Sequence, residues 1–207
     1  MFLWMLRSAT MGVLLCGASA EIAAADLPSG ILRQLPRGYT VLTSATSRVG
    51  TRQFQFVAVR SRKELKPRGY LSSVDKAPDR PLLIFELRPN GEYISLGRND
   101  KIIATADGAG LSGNGCDPFE DRHIAIKGSY FTVENEVACG AHWTDYTTFR
   151  FEARLGQYVF DNERFQSWEL NPSNDPNAEA LIPDVPKVWR APIGKPVTFS
   201  NWRPPTG

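Results

Sequence analysis

The stretch Pro81-Leu-Leu-Ile-Phe-Glu-Leu-Arg88, the turn Pro89-Asn90-Gly91, and then Glu92-Tyr-Ile-Ser-Leu96 decide the fold class. Two runs rich in apolar residues flank the turn. Proline presets φ, and asparagine and glycine accept the left-handed backbone that tight turns demand. The segment reads as a β-hairpin. The same patterning recurs outward from it. Tyr39-Thr-Val-Leu-Thr43 and Gln53-Phe-Gln-Phe-Val-Ala-Val-Arg60 read as strands on the N-terminal side. Lys101-Ile-Ile-Ala-Thr105, His123-Ile-Ala-Ile-Lys127, Ser129-Tyr-Phe-Thr-Val-Glu134 and Gln157-Tyr-Val-Phe160 read as strands on the other. In residues 143–152 Trp143, Asp145, Thr147 and Phe149 share one face, and Tyr146, Thr148, Arg150 and Glu152 the other. Only the stretch around Ile31-Leu-Arg-Gln-Leu35, ended by Pro36, suggests a helix, and a short one. The expected fold is therefore mainly β: a single antiparallel domain arranged as a sandwich, an open barrel or a propeller-like sheet.

Three regions follow from composition. Residues 1–20 hold one charge, Arg7, then an apolar run closing in Ala18-Ser19-Ala20, which is the anatomy of a cleaved export signal. Ala23-Ala24-Ala25 offers a second cut, after residue 25. Residues 27–170 form the β-rich domain. Residues 171–207 carry prolines at 172, 176, 183, 186, 192, 196, 204 and 205, a spacing that excludes a helix or a central strand. Yet Val185, Val188, Trp189, Ile193, Val197, Phe199 and Trp202 are too apolar for a free linker, so an extended arm packed on the domain is expected. The address is periplasmic or secreted. Without residues 1–20 the formal net charge is +1, which is no profile for a nucleic-acid partner, and no later stretch suits an integral membrane span.

Removal of the signal also removes Cys16, leaving Cys116 and Cys139. In an oxidising compartment these form one disulfide closing a loop of 22 residues. Such a loop is worth about 3 kcal/mol by the chain-entropy argument. The long spacing, unlike Cys-x-x-Cys, argues for a staple and against a redox pair.

The densest polar group is Asp117, Glu120, Asp121 and His123, with His142 and Trp143 beyond Cys139. These are the candidate binding residues. Cys-Asp-Pro-Phe-Glu-Asp-Arg-His lacks the alternating acids and central glycine of a calcium loop, so neither a metal nor a cofactor is expected there. The glycine loop at residues 107–115 lacks the lysine and hydroxyl of a phosphate loop. No nucleophile elbow is present, alternation separates His142 from Asp145, and the carboxylates are scattered in sequence. No catalytic residue is nominated.

Residues 80–170 resemble a group of uncharacterised exported bacterial proteins loosely grouped with FG-GAP or VCBS-like repeat proteins. The resemblance is carried by Arg80-Pro-Leu-Leu-Ile-Phe85, Gly91-Glu-Tyr93, Arg98-Asn-Asp100, Asp117-Pro-Phe119, Ile124-Ala-Ile126, Gly128-Ser-Tyr-Phe131, Val133-Glu134, Trp143 and Thr148-Phe-Arg-Phe151. It implies an envelope location and a β-rich fold, and no catalytic residue. Relatives of this type carry an Asp/Asn-rich loop before the second strand, where residues 44–54 here contain no acid.

The expected function is a non-enzymatic envelope module binding a protein or glycan, an inhibitor being one form of it. The alternatives are a periplasmic hydrolase using His123 or His142 with nearby carboxylates, and a structural envelope component.

Overall fold

Phe54, Phe56 and Ala58 lie on one side of a strand, and Gln55, Val57 and Val59 on the other, and all six are buried. A strand covered on both faces needs a layer above and a layer below it. The computed structural model, which describes residues 27–64, 77–106, 116–138, 142–173 and 175–205, supplies both. The expected export signal, Cys139 and the glycine loop at 107–115 lie outside the described residues.

One sheet has four antiparallel strands in chain order: β1 (Tyr39–Val49), β2 (Arg52–Ser61), β3 (Arg80–Leu87) and β4 (Tyr93–Ile103). The other contains β5 (Ile124–Lys127), β6 (Tyr130–Val137), β7 (His142–Glu152), β8 (Gln157–Leu170), β9 (Leu181–Pro183) and β10 (Lys187–Arg190). Its order is β10-β8-β7-β6-β5, with β9 also on β8. The two sheets share no strand pairing and meet through side chains, which is the sandwich among the expected architectures and not a closed barrel. Phe54 and Phe56 of the first sheet contact Phe151, Phe131 and Tyr158 of the second, with ring centroids 4.6 to 5.4 Å apart. On the opposite face Val57, Val59, Leu83 and Phe85 pack under Leu27 and under Ile31 of a single helical turn, α1 (Ser29–Leu32).

The hairpin forms where expected, with Gly91 at φ 83 and the Arg88 amide bonded to the Glu92 carbonyl at 2.8 Å. Residues 44–54, the counterpart of a loop in the resemblance, are the end of β1, a turn at Gly50 and the start of β2. Two expectations need correction. The strands expected at 92–96 and 101–105 are one strand, β4, that irregular pairing with β3 bends without breaking. The proline-rich arm contains two short strands. Pro183 ends β9 and Pro186 precedes β10, so proline sits at strand ends beside β8 and costs no central hydrogen bond.

The arm returns to close the sandwich. A 3-10 turn at Phe199–Asn201 lies against Gly97, where an added Cβ would stand 2.7 Å from Ser200 Oγ. Buried Asn99 donates to the carbonyls of Phe199 at 2.6 Å and Trp202 at 3.0 Å. Trp202 then packs on Phe149 and Phe160.

At the far end Arg80, 1% exposed, is held by Glu64 and Asp117. Its Nη1 and Nη2 donate to Asp117 Oδ1 and Oδ2 at 2.5 and 2.6 Å. Nε and Nη2 donate to Glu64 at 3.1 and 2.5 Å, and Nη1 also to the Ala104 carbonyl at 3.2 Å. Burial works against the charge, but these hydrogen bonds and the two carboxylates hold Arg80 protonated above its usual range. Removing the guanidinium leaves two carboxylates facing each other. Arg80→Ala is therefore expected to cost about 3–5 kcal/mol in urea unfolding. A loss under about 1 kcal/mol would show that the network is worth no more than a surface pair.

Candidate functional site

Asp117 is engaged by Arg80. Burial alone would raise its pKa, yet the Arg80 hydrogen bonds, the Phe119 amide and the Arg80 charge bring it below the ordinary carboxylate value. The Phe119 amide donates to Oδ1 at 2.9 Å, and this turn drives Phe119 into the core. Asp117 thus has a structural part in holding Arg80 and shaping the 117–122 turn. Glu120 is exposed in the same turn.

Asp121, His123, His142 and Trp143 are drawn together by β6. Its Glu134 and Glu136 alternate with Val133, Asn135 and Val137 and face away from the core. Nδ1 of His123 lies 2.6 Å from Glu134 Oε2. The hydrogen-bonded carboxyl of Asp121 pushes Glu136 above its usual value. Beyond this ridge the ends of β6, β7, β8 and β9 enclose an open groove of about 420 Å3, lined by Glu136, His142, Trp143, Trp168, Glu179 and Leu181 among others. His142 is registered against Trp168 across β7 and β8, and Trp143 stacks on Phe165 at 6.0 Å. Glu136 was missed in the sequence, and Trp168 was one aromatic among many there. Alternation along β6 was legible, but the pairing that brings β8 beside His142 is set over some 25 residues of chain.

A second polar group lies on the inward face. Asn135 stands opposite Asp145, and Thr147 opposite Glu163, in adjacent rows of β6, β7 and β8. Burial pushes the Asp145 carboxyl up to about 6, against the effect of a hydrogen bond with Asn135. Burial, with the charge of Asp145 added, pushes Glu163 up to about 7. Asp145 Oδ1, Thr147 Oγ1 and Glu163 Oε2 are buried with no hydrogen-bond partner among the described residues. The pairing of Asp145 and Thr147 on one face was expected. Glu163 was not, because β8 shifts register between its partners Thr148 and Phe149: Phe149 meets Phe160, but Thr148 meets Asn162. That extra residue turns Glu163 inward, where simple alternation from Phe160 would place Asn162. Among the described residues no three His, Cys, Asp or Glu side chains are grouped to hold a metal ion.

No family model, curated protein or solved structure matches the chain.

The raised carboxyls set the sign of pH dependence. Between about pH 4 and pH 7 the folded chain binds more protons than the unfolded one, so stability falls as pH rises through that window. Asp117 acts oppositely, its contribution being lost only as the pH falls below about 4. The expected melting profile peaks near about pH 4 and declines to about pH 7, and Glu163→Gln flattens the decline while raising the melting temperature at the alkaline end. A wild-type profile that climbs steadily over the same range would contradict this.

Proposed function

We propose that the chain is an exported, non-enzymatic binding module of the cell envelope, whose groove at His142, Trp143 and Trp168 takes a glycan. The observation that carries this reading is the composition of that groove. Two half-buried indoles offer flat apolar faces, while His142, Glu136 and Glu179 offer polar atoms at its margins. Sugar rings present C–H faces for stacking and hydroxyls for carboxylate and imidazole partners. An open groove with few polar groups between aromatic walls suits such a ligand.

Export is supported by the N-terminal sequence and by the surroundings of Cys116. The Glu136 amide donates to the Pro118 carbonyl at 2.8 Å, so the chain segments leading to Cys116 and Cys139 run side by side. The proposed Cys116–Cys139 bond would tie the turn at 117–122 to the rim of the groove. Full reduction, checked by mass, is expected to lower the melting temperature by roughly 5–10 °C, from about 3 kcal/mol of loop closure. An unchanged melting temperature would remove the staple from the account.

A protein partner is the second reading, favoured by the β10 edge. Its outer side pairs with no strand among the described residues, and Val185, Val188 and Ile193 around it are 81, 50 and 100% exposed. An edge of this kind accepts an added strand. A hydrolase built on His123 draws less support, because Asp117 is engaged by Arg80 and His123 faces Glu134.

Binding to envelope polysaccharides and peptidoglycan fragments, measured by calorimetry, tests the first reading. Trp168→Ala is expected to weaken it about tenfold or more, as truncating a central aromatic does. Retention of no glycan, or equal affinity in the variant, would move the function to the β10 edge or elsewhere.

A further inference from the structure

We propose that Asp145, Thr147 and Glu163 form a binding site for a hard divalent cation of calcium size. The strand register brings the three together. Thr147 and Glu163 are directly opposite across β7 and β8, and Asp145 lies two residues along β7 on the same face. Opposite and diagonal neighbours on one sheet face are within reach of side chains of this length.

Three oxygens in that patch, Asp145 Oδ1, Thr147 Oγ1 and Glu163 Oε2, have no partner among the described residues. Thr147 is 0% and Glu163 5% exposed, so water does not serve them as it serves a surface carboxylate. Buried polar atoms without partners are rare in folded chains, and two carboxylates on one face are rarer still unless a cation stands between them. The described residues supply no such cation. None of the ion pairs among the described residues includes Asp145 or Glu163. Lys187 shares the row of Asp145 and Phe165 but stands exposed at the sheet margin.

Asn135 prepares the site. Its Nδ2 donates to the Ile102 carbonyl at 3.0 Å and its Oδ1 accepts from the Ala104 amide at 2.9 Å, which locks it to the end of β4. From there it bonds the Asp145 carboxyl, leaving Oδ1 as the open oxygen. Asn135 is thus a positioning residue, and Asp145, which is only half-buried, marks the way in. An all-oxygen donor set of two carboxylates and a hydroxyl suits a hard ion. With three protein ligands drawn from flexible side chains, and water for the rest, the site fits calcium, which tolerates irregular coordination, better than magnesium, which does not.

The inference does not rest on the glycan groove, and its test is separate. The full chain is stripped with chelator and titrated with calcium chloride alone by calorimetry, with melting curves in parallel. Wild type is expected to bind one ion at roughly 10⁻⁴ to 10⁻³ M, as extracellular modules do. At about 10 mM calcium its melting temperature is expected to rise by roughly 3 °C or more. Glu163→Gln and Asp145→Asn are expected to abolish both the heat and the rise, while melting no lower than wild type without calcium. Thr147→Val is expected to weaken binding about tenfold, the effect of one lost ligand bond. Terbium luminescence, sensitised by nearby Trp189 and displaced by calcium, gives a second readout that Glu163→Gln removes. No heat and no shift in wild type would overturn the proposal, as would equal binding by both carboxylate variants.

Discussion

The contact between Phe54 and Phe56 of one sheet and Phe131, Phe151 and Tyr158 of the other is what the rest of the structure depends on. An antiparallel sheet can leave one face to water, but β2 cannot, since it is apolar on both sides. The aromatic layer covers one side of β2, and α1 with Leu27 covers the other. The C-terminal arm completes the layer through Phe199 and Trp202, and Gly97 with Asn99 admits it. A one-residue slip of β2 would take Phe54 and Phe56 out of the aromatic layer, so register and packing are tied together.

The inward face of the second sheet changes character along its length. Near β2 it presents Phe131, Phe149 and Phe160. Further along the same strands the inward positions become Asn135, Asp145, Thr147 and Glu163. Side chains without partners are costly in a core, and a fold selected for stability alone would place apolar residues there. The Arg80 network offers the contrast. It too is buried and charged, but its donors meet acceptors, and so it is accounted for as architecture.

Much of the fold was legible in the sequence for reasons tied to particular residues. The Pro89-Asn90-Gly91 turn and the alternation through residues 143–149 rest on local chemistry, and both appear in the structure. What failed to be legible was non-local. Arg80 and Asp117 are 37 residues apart, so nothing local told that Asp117 would be held by a buried arginine. Glu163 turns inward because of a register shift that periodicity smooths over. The split of β4 into two expected strands has the same origin, since Gly97-Arg-Asn-Asp100 looks like a turn until the arm covers it.

The inward polar patch is the central claim, and the protonation of Glu163 tests it most directly. Carbon-13 NMR of the side-chain carboxyl, followed with pH in chelator-treated protein, reports that protonation at one atom. The account predicts a midpoint near about 7, the value to which burial and the neighbouring Asp145 push it. A midpoint near about 4.3, the ordinary value of a solvated glutamate, would mean that the carboxylate is hydrated or paired and that the patch is an unremarkable surface.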